Sequence, residues 1–247
     1  MRAELEGGDC SGYFQGVTAA SPVLAHRGSV MATLLVVLCL GTSTRSLNLQ
    51  PWHSSNQSNE PASIILVIDT STSESKVDKH EIQALSEALV HLIQTSNQEN
   101  EYSLISISTD PKQLVDRVSG KTAVLGGLNK LFSKPRIGAT ALYDACRLAV
   151  DKAQKGRYTR RLVLLISDGL DNCSSMSGKD LEGFLIKNKV PIYTVFTTNP
   201  REDVRSQQAG ERVMRALAAI SGGKAFHPKS AAEITLVIES IAADVVR

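Results

Sequence analysis

Aromatic residues are scarce: five Phe, five Tyr and one Trp make up 4% of the 247 residues. That weighs against the stacking platforms on which single-stranded nucleic acids bind. Charge of one sign is missing too. Lys and Arg number 27 against 25 Asp and Glu, for a formal net charge of +2, too weak a field to hold a phosphate backbone. No Gly-x-x-x-x-Gly-Lys loop occurs, which excludes the phosphate cradle of P-loop nucleotidases. Cysteine is limited to positions 10, 39, 146 and 173, without metal-ligand spacing and too few for a disulfide framework. What is present, 42% hydrophobic and 21% charged residues, suits a globular α/β domain with a short extension, or two small domains.

The extension lies at the amino-terminal end. Val30–Gly41 is one uncharged apolar run, preceded by His26 and Arg27 and followed by Thr42, Ser43 and Thr44. It is too short to span a bilayer comfortably and has the length of a secretory signal core. The acidic residues Glu4, Glu6 and Asp9 upstream are unusual there, and Met31 offers an alternative start. Residues 1–44 are therefore expected to direct export to the periplasm or medium, with membrane anchoring through residues 30–41 as the alternative. Residues 45–62, polar and carrying Pro51 and Pro61, read as a linker, and 63–247 as the folded domain. An exported location permits a disulfide between Cys146 and Cys173, the alternative being two thiols.

From Ser63 onward, short apolar runs alternate with helical spacing. Ser63–Ile68 and Leu162–Ser167 are almost wholly apolar, as strands buried on both faces are. Tyr102–Ser108 and Ile192–Phe196 are further strands, Gln113–Val118 a polar antiparallel edge, and Lys224–His227 a last short one. Helices are expected over Val77–Thr95, Thr140–Gln154, 180–188, part of a helix over Val213–Ile220, and Ala231–Val246. Strand and helix alternate, which argues a mostly parallel sheet covered on both faces.

Polar residues of one chemistry sit at the ends of the two most apolar strands. Asp69-Thr70-Ser71-Thr72-Ser73 follows the first and Asp168-Gly169 the second. Ligands of open parallel sheets bind at the carboxyl ends of strands where the strand order reverses. Neighbouring strands there would bring the two aspartates to ends about 5 Å apart. Thr140 opens the helix that leads back into the second strand, so it lies on the same edge. Two carboxylates and three hydroxyls then face one small volume. An oxygen-only set favours a hard cation such as Mg²⁺, and two carboxylates roughly neutralise it while leaving it able to accept one more anionic oxygen. A partner's Asp or Glu would supply that oxygen.

Each element has an ordinary reading when taken alone. Ser71 and Ser75 resemble helix caps, with Glu74 and Asp78 three residues on. Thr140 resembles an N-cap, and Asp168-Gly169 a turn. Their conjunction in the right order is what favours a metal. Asp144 reads as a helix-face charge, Asp171-Asn172 as a solvated loop or a second ion site, and His80, His91 and His227 as surface or rim residues without partners at ligand spacing. The rival enzymatic reading, a phosphatase with a strand-end Asp nucleophile, wants Asp-x-Asp where this chain has Ser71 in second place. It also finds no general base near the aspartates. A structural domain with a vestigial site is the third reading.

Asp69-x-Ser71-x-Ser73, Thr140 and Asp168-Gly169 together resemble the metal-ion-dependent adhesion site of von Willebrand factor A domains. The flanking stretches Gly138–Ala145 and Ile166–Asn172 are similar to those of an exported acidobacterial branch of that family. The resemblance covers about residues 60–246. It implies a doubly wound, mostly parallel six-stranded sheet of order 3-2-1-4-5-6 with one antiparallel edge. It also implies Mg²⁺ or Mn²⁺, with Ca²⁺ less suited, at Asp69, Ser71, Ser73, Thr140 and Asp168. A protein ligand rather than a substrate is expected.

Overall fold

A computed structural model describes residues 60–73 and 77–243. The expected signal segment, and all of the linker but Glu60, Pro61 and Ala62, lie outside the described residues. The chain alternates β1 (Ser63–Asp69), α1 (Lys79–Thr95), β2 (Glu101–Ile107), β3 (Lys112–Ser119), α2 (Thr122–Ser133), α3 (Leu142–Gln154) and β4 (Arg161–Ser167). It continues through α4 (Gly178–Asn188), β5 (Ile192–Phe196), α5 (Val204–Ser221), β6 (Ala225–Phe226) and α6 (Ala231–Ile241). The six strands form one sheet in the order β3-β2-β1-β4-β5-β6. All neighbours are parallel except β2 and β3. This is the doubly wound architecture expected from the sequence.

Burial explains the uniform apolar runs. Every residue of β1 is buried, and alternate side chains serve opposite faces. Ile64, Leu66 and Ile68 pack with Leu89, Leu92 and Ile93 of α1, Leu128 of α2 and Ile238 of α6. Ile65 and Val67 pack with Cys146 and Val150 of α3, Leu185 of α4 and Leu217 of α5. Strand β3, by contrast, buries only Val115, and its charged residues and bulges mark it as a protected edge.

Helix α2 was not expected from the sequence, because Gly126-Gly127 interrupts its apolar spacing. The structure gives the reason for one of these glycines. A Cβ on Gly127 would come within 2.8 Å of Val115 Cγ2 and 3.0 Å of Leu104 Cδ2, so glycine lets α2 lie close against β2 and β3. The other helices begin or end within a few residues of expectation, and α5 contains the expected stretch Val213–Ile220 and extends it back to Val204.

The amino end of β1 is fixed by backbone bonds at the far edge of the sheet. Ala62 N donates to Asn100 Oδ1 at 2.8 Å, Ser63 N to Arg160 O at 2.9 Å, and Glu101 N to Ala62 O at 2.9 Å. Asn100 is fully buried, so its side chain serves as a hub for the chain entering the sheet.

Candidate metal centre at the carboxyl edge of the sheet

Strands β1 and β4 are direct neighbours, and the chain winds away from them in opposite directions. Ile68 lies level with Ile166, which brings Asp69 beside Ser167 and places Asp168 one residue further on. The crevice of the reversal is therefore where the two aspartates stand. Asp69, Ser71, Thr140 and Asp168 are 1%, 1%, 2% and 4% exposed, so four of the five expected ligands are buried together at this edge. Ser73 stays close: its hydroxyl is 3.0 Å from that of Ser71, and it also hydrogen-bonds Asp168.

The carboxylates are only partly satisfied. Asp69 Oδ1 accepts the Ser71 amide at 2.9 Å, and Oδ2 accepts the Ser167 hydroxyl at 2.7 Å. That hydroxyl in turn accepts the Gly169 amide at 3.1 Å. Asp168 Oδ1 accepts the Leu170 amide at 3.0 Å, whereas Asp168 Oδ2 is buried without a hydrogen-bond partner. Burial, and then the neighbouring charge of Asp168, push Asp69 from 3.8 up to about 6 against the pull of its hydrogen bonds. Burial likewise raises Asp168, opposed by the Ser73 hydroxyl and the Leu170 amide.

The capping readings of Ser71 and Thr140 fail here. Helix α1 is capped by Asp78, whose Oδ1 accepts His80 N at 2.7 Å, so Ser71 is not spent on it. Ser75 lies outside the described residues. Helix α3 begins at Leu142 rather than Thr140, with Ala141 at its cap and no side-chain bond from that residue. Its first amides are satisfied from another segment. Leu142 N and Tyr143 N donate to Asp171 Oδ1 at 2.8 and 3.3 Å, and Tyr143 N and Asp144 N to Ser174 Oγ at 3.0 and 3.2 Å. Thr140 is thereby released from capping. Asp171 is thus no member of a solvated loop but a cap supplied from about 30 residues away in sequence. Asp144 also differs from expectation, since its carboxylate accepts Ser175 N at 2.7 Å and Met176 N at 3.0 Å.

The three segments bearing the site are tied to one another. Ile137 N donates to Thr70 O, and Thr72 N to Gly138 O, both at 3.0 Å. Gly138 N donates to Thr72 Oγ1, and Arg136 Nη1 to Asp69 O at 3.1 Å. Helix α5 abuts Asp168 through two glycines. A Cβ on Gly210 would lie 2.0 Å from Asp168 O, and one on Gly169, which has φ of +74°, would lie 2.2 Å from Gly210 O. Gly210 escaped the sequence reading, as a lone glycine in a helix carries no mark of what it touches.

Other candidates lie elsewhere. Cys146 and Cys173 are free thiols, Cys146 being buried and pushed up to about 12. His227 sits apart from the site, its Nδ1 2.9 Å from Glu211 Oε1 and its ring meeting Phe196 edge-on. Among the described residues no three His, Cys, Asp or Glu side chains converge as a metal site, and no helix is long and apolar enough to cross a membrane.

Residues 64–171 match the family model of the von Willebrand factor type A domain. No curated protein matches the chain. Among solved structures, a von Willebrand factor type A protein from Catenulispora acidiphila is similar at 14% identity and a TM-score of 0.60, over 75% of this chain and 42% of that one. The domain of the type V pili tip protein Mfa5 from Porphyromonas gingivalis aligns at 11% identity and a TM-score of 0.57, over 76% of this chain and 97% of that one. The pilus adhesin SpaC from Lactobacillus rhamnosus GG aligns at 12% identity and a TM-score of 0.60, over 75% of this chain but only 30% of its own. At such identities the likeness is one of fold. With its strand order and the family match spanning β1 to the loop after β4, this chain carries a von Willebrand factor A domain.

Proposed function

We propose that the chain is a metal-dependent protein-binding module of the adhesion type. In this reading Asp69, Ser71, Ser73, Thr140 and Asp168 hold Mg²⁺ or Mn²⁺, and an Asp or Glu carboxylate of a partner protein completes the site. The observation that carries it is Asp168 Oδ2, a buried carboxylate oxygen without a hydrogen-bond partner beside a second buried carboxylate. Leaving such an acceptor unpaired costs about 1–3 kcal/mol, and more when it is charged. A cation between the two aspartates offsets that cost and their mutual repulsion.

The donor set fits the ion. Its members are all oxygens, and the hydroxyls of Ser71, Ser73 and Thr140 add coordination without adding charge. When bound, the metal supplies Lewis acidity toward an incoming carboxylate. The chain's own residues do the rest. Asp69 is held by Ser71 N and Ser167 Oγ, Asp168 by Leu170 N, and Thr140 is relieved of capping by Asp171 and Ser174. Binding rather than catalysis is the reading the sequence favours, since Ser71 stands where the Asp-x-Asp pattern of a strand-end phosphatase wants its second Asp. An exported chain, as the apolar run at 30–41 suggests, would meet such partners outside the cytoplasm.

Thermal melting with and without metal tests the reading. A ligand at a hundredfold excess over its Kd stabilises the fold by about 2.7 kcal/mol. Millimolar Mg²⁺ or Mn²⁺ should raise the melting temperature, and EDTA should reverse the rise without unfolding the protein. No shift and no calorimetric binding with either metal would leave the domain as a structural one. Envelope proteins recovered on the immobilised chain with Mg²⁺, lost with EDTA and lost with Thr140→Ala would identify the partner.

A further inference from the structure

The loop after β4 grips Thr140 from both sides. Thr140 N donates to Asn172 Oδ1 at 2.7 Å, and Asn172 N donates back to Thr140 O at 3.0 Å, joined there by Cys173 N at 3.3 Å. Asn172 itself is exposed and belongs to neither half of the core. Its short bond to Thr140 is therefore not a by-product of packing. The adjoining Asp171 and Ser174 hold the first amides of α3, and Leu170 N bonds back to Asp168 Oδ1. Residues 168–174 and the start of α3 thus form one hydrogen-bonded unit, with Asp168 at one end and Thr140 at the other.

We infer that Asn172 is a positioning residue: it couples Thr140 to the loop bearing Asp168, so that the hydroxyl and the carboxylate meet a divalent cation at a fixed separation. The inference rests on the metal-centred reading above. Asn172 would not touch the ion. It would set the backbone from which the Thr140 hydroxyl projects, as outer partners of metal ligands do in general. The Asp69 segment is fastened through Thr70 and Thr72 to residues 137 and 138, just ahead of Thr140, so losing Asn172 loosens Thr140 from the Asp168 loop and not from the Asp69 segment.

Removing such an outer contact typically weakens metal binding 10- to 100-fold. Because the Asn172 N–H bond to Thr140 O survives side-chain substitution, the loss on Asn172→Ala is expected at the lower end, about tenfold. The experiment is calorimetric titration of the full chain with Mn²⁺, alongside circular dichroism and melting in EDTA. Asn172→Asp keeps an oxygen acceptor at the same place and should restore affinity to the wild-type value or tighter. Ser177→Ala, which removes the cap oxygen that accepts Asp180 N at 3.2 Å on α4, is the control and should bind Mn²⁺ as wild type does. The inference is overturned if Asn172→Ala binds Mn²⁺ like wild type, or if Asn172→Asp is as weak as Asn172→Ala. It is overturned equally if Ser177→Ala loses as much affinity, since the effect would then be a general loosening of the fold. A wild-type chain that takes up no Mn²⁺ defeats the metal reading itself, and this inference with it.

Discussion

Replacing Asp69 by Asn should stabilise the metal-free domain while destroying its response to metal. The side chain is 1% exposed, and its carboxyl is held at about 6 against an ordinary 3.8. The folded state therefore binds the proton more tightly than the unfolded chain does, so wild-type stability falls as pH rises from about 4 to about 6 and stays low above that. Two pKa units correspond to about 3 kcal/mol at neutral pH. Asn is the neutral isostere. Its oxygen can accept Ser71 N, and its amide can donate to Ser167 Oγ, which already accepts Gly169 N. Rearranging those bonds uses part of the gain, which leaves about 1–3 kcal/mol, or roughly 2–12 °C for a domain of this size. In EDTA at pH 7.5 the variant should melt above wild type, and the gap should close at pH 3.5. In millimolar Mg²⁺ the order should shrink or invert, since only wild type gains. A variant that melts below wild type in EDTA at pH 7.5, or a gap that ignores pH, would refute the electrostatic reasoning and make Asp69 a structural acceptor.

Two further outcomes follow from the packing around the site. Gly210→Ala places a Cβ where Asp168 O now stands at 2.0 Å; the resulting displacement should cost about 1–3 kcal/mol in a denaturant titration and weaken Mn²⁺ binding as well. Cys146, buried with its thiol pushed up to about 12, should resist alkylation in the native state, while half-exposed Cys173 is modified first; peptide mapping after a timed alkylation reads the order.

How legible the domain was in its sequence depended on where each constraint came from. Strands β1 and β4 declared themselves because burial on both faces leaves the run almost wholly apolar, and their ends marked the site. The edge strand β3 showed through its charge. Helix α2 stayed hidden behind Gly126-Gly127, since close approach to Val115 and Leu104 is a tertiary demand with no local signature. The same holds at the start of α3. A local cap would have been read from spacing, and Thr140 was the obvious candidate, but Asp171 and Ser174 come from beyond β4. The roles of Asp144, Asp171 and Asn172 were likewise set by partners 28 to 32 residues away, which made ordinary loop and surface readings the natural ones.

Strand β1 also has a mechanical meaning. It receives the chain at Ala62, where Asn100 and Arg160 hold it, and delivers Asp69 to the opposite edge seven residues later, roughly 20 Å away. A load applied at the carboxyl edge and resisted by the chain before Ala62 would run lengthwise along this strand. Parallel neighbours flank it over nearly its whole length, β2 from Ser63 to Asp69 and β4 from Ser63 to Ile68. Their hydrogen bonds would then be sheared together rather than unzipped one at a time. A pull in that direction therefore meets the central strand of the sheet first, and the peripheral strands β3 and β6 lie outside the line of force.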